Sequence, residues 1–399
     1  MNRVAFKYIS MNRYRKTFFL VAGLMLAAMS CGRKGAQDSG VIEVSLTDGR
    51  IEWEELFDSI RVVPLETSDS VLLTGAGRIV IWEGDMYILN RDRVFRFDSL
   101  GHFKNSIGRV GNGPGEYRYA YDFDFNPETG NLFILSPFGT AYEYSPDGEF
   151  IVSHELPAMP NYQRLRRLKN GKWMAWTLCY YGEQPISILS EDLSECIRTP
   201  EINLHMTDLQ WTIPEIFEYD SDLYMSTAFD QTVYIVSSDT IVPAYRWDFG
   251  EENNISEEAL AKYDETPSTD PNENWERTVA FFKDTDITHF VTSSRLNSRY
   301  IFQRVVEKVG VANHMKPTSI PKRHYIFHDR RSGCNVVGSQ IGDGLMKESI
   351  ILMNDGYMLA KVDWENLPLY EQFLPDGVTL ADINPDDDNP LLVKYYFKK

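Results

Sequence analysis

The chain has 399 residues, 40 of them basic and 58 acidic, for a net charge of −18. So much excess acid repels the phosphates of nucleic acid and anionic lipid headgroups, which argues against both as partners. Aromatics make up 13% of the residues, a composition that suits strand-rich packing, and the length is ample for one large domain or two.

Residues 1–30 carry five basic side chains (Arg3, Lys7, Arg13, Arg15, Lys16) and no acid, and their apolar stretch runs from Phe18 to Met29. A basic start, a short apolar core and small residues at the break describe a secretory signal. About a dozen apolar residues fall short of the roughly 20 that a membrane span requires. Met11 precedes most of the basic cluster, so translation can begin at Met1 or Met11. The segment Ala28-Met29-Ser30-Cys31 resembles a bacterial lipobox, with Ala28 where Leu is usual, and this implies a lipidated Cys31 as the mature N-terminus. The alternative is a plain signal peptide with Cys31 incidental. Gly32-Arg33-Lys34-Gly35 follow, without the acidic run of some surface-displayed lipoproteins. The expectation is therefore an exported protein, lipid-anchored to the outer membrane and facing the periplasm. Residues 31–40 read as its tether, and 35 basic residues then stand against 58 acidic ones, or −23.

Val41 to Leu46 alternates apolar and polar residues as a half-buried strand does, and Ile60 to Leu65 is a second early strand. A phrase then recurs. Gly84-Asp85-Met86-Tyr87-Ile88-Leu89 leads into Val94-Phe95-Arg96-Phe97, the turn Asp98-Ser99-Leu100-Gly101 and a further strand. It returns as Gly130-Asn131-Leu132-Phe133-Ile134-Leu135, Ala141-Tyr142-Glu143-Tyr144 and the turn Ser145-Pro146-Asp147-Gly148. Short strands at this period predict a β-propeller, because each small sheet must bury its faces against the next. Second-strand positions fall near Tyr87, Phe133, Trp173, Tyr224, Tyr300 and Tyr357, which makes six blades. The long gap after Tyr224 holds a helical insertion over about residues 255–285, with Ser256 as N-cap and Glu257 and Glu258 in the first turn. Leu391 to Phe397 is a final strand, and a strand from residues 41–65 is expected to complete the last sheet. The fold class is thus all-β, a six-bladed propeller over residues 41–399.

Beyond the first blade comes Ile107-Gly108-Arg109-Val110-Gly111-Asn112-Gly113-Pro114-Gly115-Glu116-Tyr117. This is similar to the linker of NHL-type propellers, where glycines permit the reversal and a proline stiffens it. With the lipobox and the closing Asn389-Pro390-Leu391-Leu392-Val393 strand, the chain resembles bacterial six-bladed β-propeller lipoproteins related to NHL repeats. The resemblance implies fold and location more than chemistry.

Several chemical motifs can be weighed. Gly108 to Gly115 lacks the Lys-Ser/Thr and following helix of a nucleotide loop, and no Gly-x-Ser-x-Gly elbow exists. His324 and His328 lie on one predicted strand roughly 13 Å apart, too far to share an ion, so no metal is expected there. Three cysteines follow Cys31, namely Cys179, Cys196 and Cys334, and an odd number leaves a free thiol. Cys179 and Cys196 fall on strands two apart, roughly 9–10 Å, and no structural disulfide is expected.

Arg109, Tyr117, Arg118, Tyr119 and Tyr121 cluster around the linker, with Trp176, Tyr180 and Tyr181 at the corresponding loop of the third blade. Rings stack on sugars and arginine forks carboxylates, so these are the expected ligand residues. The leading function is a non-enzymatic binding or scaffold module of the cell envelope, with no cofactor. Its partner is an envelope protein, peptide or glycan, and it meets the membrane only through its lipid. The alternative is a metal-dependent hydrolase or lyase, with calcium in the central channel held by Glu116, Asp122, Asp124 and Asn126. That enzyme needs acids from at least three blades converging on an ion, whereas a binder needs an aromatic, arginine-rich surface. A purely structural subunit would instead show a broad apolar patch.

Overall fold

Met86-Tyr87-Ile88-Leu89 is an unbroken apolar run because both faces of its strand are covered. In the computed structural model, Met86 and Ile88 pack with Leu359 and Leu392 of the sixth blade. Tyr87 and Leu89, on the opposite face, pack with Phe123, Phe125 and Leu132 of the second. A strand covered on both faces shows no polar alternation. The structure describes residues 40–399 except 70, 76, 138, 158–161, 178–183, 203–213, 229, 257, 259–272, 274–275, 277–287, 309–320, 348–349 and 387.

Six antiparallel sheets of four strands form the blades. The inner strands are Ile79–Trp82, Asp122–Phe125, Tyr162–Arg167, Glu215–Tyr219, His289–Leu296 and Ile350–Met353. All six predicted second-strand positions lie on second strands. Blade 6 is closed by the N-terminal strand Phe57–Pro64, which pairs antiparallel with Leu391–Phe397. Only the later part of the 41–65 segment does this. Val41–Glu43 runs parallel to the outer strand of blade 4 as its fifth strand, and Arg50–Ile51 pairs in parallel with Gln340–Ile341 beyond blade 5.

The two recurring turns do the same mechanical job. Gly101, at φ +96°, brings its backbone against the Pro64 carbonyl of the closure strand. Gly148, at φ +86°, sits against the Ser106 carbonyl of blade 1's outer strand. Each turn therefore docks on the outer strand of the preceding blade, where a β-carbon would collide. In the first case the docking seals the ring.

The helical insertion lies almost wholly outside the described residues; within it Glu258, Glu273 and Glu276 are helical and exposed. A 3-10 segment, Trp364–Phe373, separates the second and third strands of blade 6 instead. Cys196 is a free, exposed thiol, as the odd count requires. Cys334 is disulfide-bonded, with its partner outside the described residues. The expectation of no disulfide is corrected for Cys334, because the strand-spacing argument compared only cysteines of one blade. Among the described residues, no helix is long and apolar enough to cross a membrane.

Candidate functional site

The axis is built from the inner strands outward. Asp122 and Asp124 share one face of their strand and point to blade 3, while Phe123 and Phe125 fill the core on the other face. Asp122 Oδ2 accepts the Leu165 N–H at 2.9 Å and the Arg166 guanidinium, and Arg166 Nη1 also donates to the Leu165 carbonyl at 2.7 Å. Asp124 accepts the Arg167 N–H at 2.8 Å and Arg78 Nη2 at 3.0 Å.

The same arrangement returns between blades 4 and 5. Glu215 Oε2 accepts the Ser294 N–H and Arg295 Nη1, both at 2.7 Å, and Arg295 donates back to the Ser294 carbonyl at 2.6 Å. In both places an acid on one inner strand takes an amide of the next blade and the arginine that follows it. Arg295 then reaches the Ile350 and Ile351 carbonyls of blade 6 at 2.8 and 3.0 Å. Charge-assisted bonds of this kind hold neighbouring blades in register at the hub.

Arg78 Nη2 lies 3.7 Å from Glu218 Oε1. These residues belong to blades 1 and 4, which face each other in a six-bladed disc, so the pair spans the central channel. Burial disfavours the charge on Arg78, but Asp124, Asp122 and Glu218 outweigh it and hold its pKa above the ordinary value. Glu218 is enclosed by the channel wall and faces Asp124, which together push its carboxyl up to about 7. Its side chain is nonetheless 47% exposed, because the channel admits water.

The expected site residues separate into two groups. Arg109, Arg118, Tyr119 and Tyr121 are exposed, with Tyr119 at 51% and Tyr121 at 37%. Tyr117 is not available to a ligand: it is buried between blades 1 and 2, its hydroxyl donates to the Ile107 carbonyl at 2.9 Å, and burial raises its pKa. Trp176 is likewise buried in the core between blades 3 and 4. Both lie on strands, where alternate residues turn inward. Tyr180 and Tyr181 lie outside the described residues, as does Cys31.

Of the alternative calcium ligands, Glu116 is used inside the linker, where it accepts the Gly113 N–H at 2.8 Å and its strand pairs with Arg109–Val110. Asp122 and Asp124 face guanidinium groups, and Asn126 Oδ1 accepts the Glu128 N–H at 3.0 Å. His324 and His328 share a strand as expected, and His328 Nδ1 is engaged by Asn335 Oδ1 at 2.8 Å.

Next to the linker stands a surface that the sequence reading missed. Phe150, Ile151 and Val152 begin the outer strand of blade 2 and are 41–47% exposed. This strand is the edge of its sheet. Linker residue Gly115 packs against the Phe150 ring, so the apolar edge adjoins the linker. The signal was three successive apolar residues where an outer strand should alternate.

The family described as a domain of unknown function, DUF4934, matches residues 40–396. The chain belongs to the DUF4934 family. No curated protein matches it. Among solved structures, this DUF4934 propeller is similar to the "Putative exported protein (BF0058)" of Bacteroides fragilis, at 19% identity and a TM-score of 0.69, covering 90% of this chain and all of that one. It is also similar to a member of the duf4221 family from Bacteroides vulgatus, at 11% identity and a TM-score of 0.51, covering 86% of this chain and 97% of the other. At these identities the likeness concerns the fold.

Proposed function

We propose that this DUF4934 protein is an exported envelope lipoprotein, anchored through Cys31 to the periplasmic side of the outer membrane, which works by binding rather than by catalysis. Its relation to NHL propellers rests on the linker sequence, and export on the basic-apolar N-terminus, in keeping with BF0058 being described by name as exported. The ligand is a peptide or partner protein taken at the linker side of blade 2. One observation carries this reading: an exposed apolar sheet edge at Phe150–Val152 lies against linker residue Gly115, and the same linker exposes Arg118, Tyr119 and Tyr121 as it runs on to the inner strand. An unpaired edge offers main-chain hydrogen bonds to an extended segment, and flanking rings and arginine add side-chain contacts. At the axis, among the described residues, acids converge from blades 2 and 4, and the guanidinium groups of Arg78 and Arg166 stand between them. Fixed cations there oppose a divalent ion.

The test is binding of the purified protein to arrayed envelope-derived peptides and glycans, beside a Tyr119→Ala/Tyr121→Ala double variant and Ile151→Lys. Peptide binding weakened at least tenfold by each variant is expected. Binding that ignores both variants would refute the surface, and calcium-dependent hydrolysis of lactones or esters would put the channel enzyme in its place.

A further inference from the structure

The first three strands of blade 5 bring together three side chains that are distant in sequence. His289 pairs with Glu307 across the first two strands, and Val305, two residues before Glu307, pairs with His324 on the third. Cross-strand partners share a face, as do residues two apart. His289, Glu307 and His324 therefore project from one face of the sheet.

One potential ligand atom from each lies within 4.8 Å of the others. Glu307 Oε1 is 3.5 Å from His324 Nε2 and 4.0 Å from His289 Nε2. Ligands at 2.0–2.2 Å in a tetrahedron stand about 3.3 Å apart, so closure on an ion takes only a small side-chain rotation.

The imidazoles are already oriented. His324 Nδ1 lies 3.2 Å from the Thr47 backbone carbonyl, which can only accept, so Nδ1 carries the proton. In the neutral ring, Nε2 then presents its lone pair. This Nε2 is buried without a hydrogen-bond partner, on a residue only 2% exposed, and it points into the cluster. His289 Nδ1 lies 2.8 Å from Thr288 Oγ1, whose hydroxyl can donate onward to the Glu252 carbonyl at 3.4 Å. Each ring is thus held through Nδ1 with Nε2 turned to Glu307, the second-shell pattern that orients metal-ligating histidines.

We propose that His289, Glu307 and His324 form a binding site for a zinc-class divalent transition metal, with a fourth position on the solvent side of Glu307. Two imidazoles and one carboxylate suit zinc and its neighbours, whereas calcium takes an all-oxygen shell of six to eight ligands. The Lys322 ammonium, 3.5 Å from Glu307 Oε1, is the competing cation, and it also pairs with Asp48. Since Thr47 and Asp48 belong to the N-terminal segment, a bound ion also fastens that segment to blade 5 through the orientation of His324.

The test uses the full chain, purified without a polyhistidine tag and stripped with a chelator. Zinc affinity is read by competition with a chromophoric chelator, and geometry by the visible spectrum of the cobalt form. One saturable equivalent of zinc is expected, with an intense tetrahedral cobalt spectrum and a raised melting midpoint. His289→Ala and Glu307→Gln, at less buried positions than His324, should each fold and lose at least tenfold in affinity; Lys322→Gln should gain. Absence of saturable zinc uptake, uptake unchanged in both weakening variants, or equal binding of calcium would each overturn the site. None of these outcomes bears on peptide binding at blade 2.

Discussion

Glu218 meets Arg78 across the channel in a cluster of two guanidinium groups and three carboxylates. Two cations cannot neutralise three anions. Asp122 and Asp124 each hold a backbone amide as well, whereas Glu218 faces Arg78 at 3.7 Å. Its pKa is raised from an ordinary 4.5 to about 7, first by enclosure and then by Asp124. The folded state thus binds the Glu218 proton more tightly than the unfolded state does. The resulting stability is fully present below about pH 4.5 and is lost as pH rises through about 7. Channel water screens the half-exposed carboxylate, which limits the effect to about 1 kcal/mol, or a midpoint shift of about 2 °C. Glu218→Gln, which mimics the protonated acid, should melt with the native protein at pH 5 and about 2 °C above it at pH 8. Parallel melting curves for the two proteins at both pH values would show that Glu218 titrates normally.

The recurring turns are the elements on which sequence and structure agree most closely. Asp98–Gly101 and Ser145–Gly148 were visible as a repeat because each needs a left-handed glycine at a fixed distance from an apolar strand. The six second strands were visible because both their faces are covered, which forces an apolar run. Val41–Glu43 read correctly as a strand, but nothing local says that it pairs in parallel with residues 246–248. Likewise the axial acids were noticed at Asp122 and Asp124, whereas Arg166 lies 44 residues away and Arg78 precedes the first repeat. Tyr117 and Tyr119 look alike in sequence; one turns into the core and the other outward because of the strand that ends at Tyr117. The turns also permit a comparison. At Gly101 a β-carbon would overlap the Pro64 carbonyl oxygen, while at Gly130, also at positive φ, nothing lies within 4 Å. Gly130→Ala should cost only the backbone strain, about 1 kcal/mol. Gly101→Ala must also push the turn off the closure strand and should cost about 3 kcal/mol. Urea denaturation of both variants measures the difference, and equal costs would mean that the turn does not seal the ring.

At the scale of the whole molecule, the N-terminal segment is a belt around half the disc. It borders blade 4 at Val41–Glu43, hydrogen-bonds to Ser339 after blade 5 through the Gly49 carbonyl, and becomes the outer strand of blade 6 at Phe57–Pro64. Its parts contribute unequally. The closure strand buries Phe57, Ile60, Val62 and Val63, each 8% exposed or less. At about 1.5–3 kcal/mol per buried side chain, these four supply about 6–12 kcal/mol, which rivals the total stability of about 5–15 kcal/mol expected of a domain. Residues 40–48 fully bury only one apolar side chain, Val44, worth about 2 kcal/mol. A chain beginning at Gly49 should therefore stay a folded monomer with a midpoint lowered by several degrees. A chain beginning at Glu66 leaves the Leu391–Phe397 edge bare and should fail to fold or should associate through that edge. Size-exclusion chromatography with thermal melting separates these results. A folded, monomeric chain from Glu66 would mean that the ring is held by the hub alone, through the acid–amide–arginine contacts at blades 2 to 3 and 4 to 5.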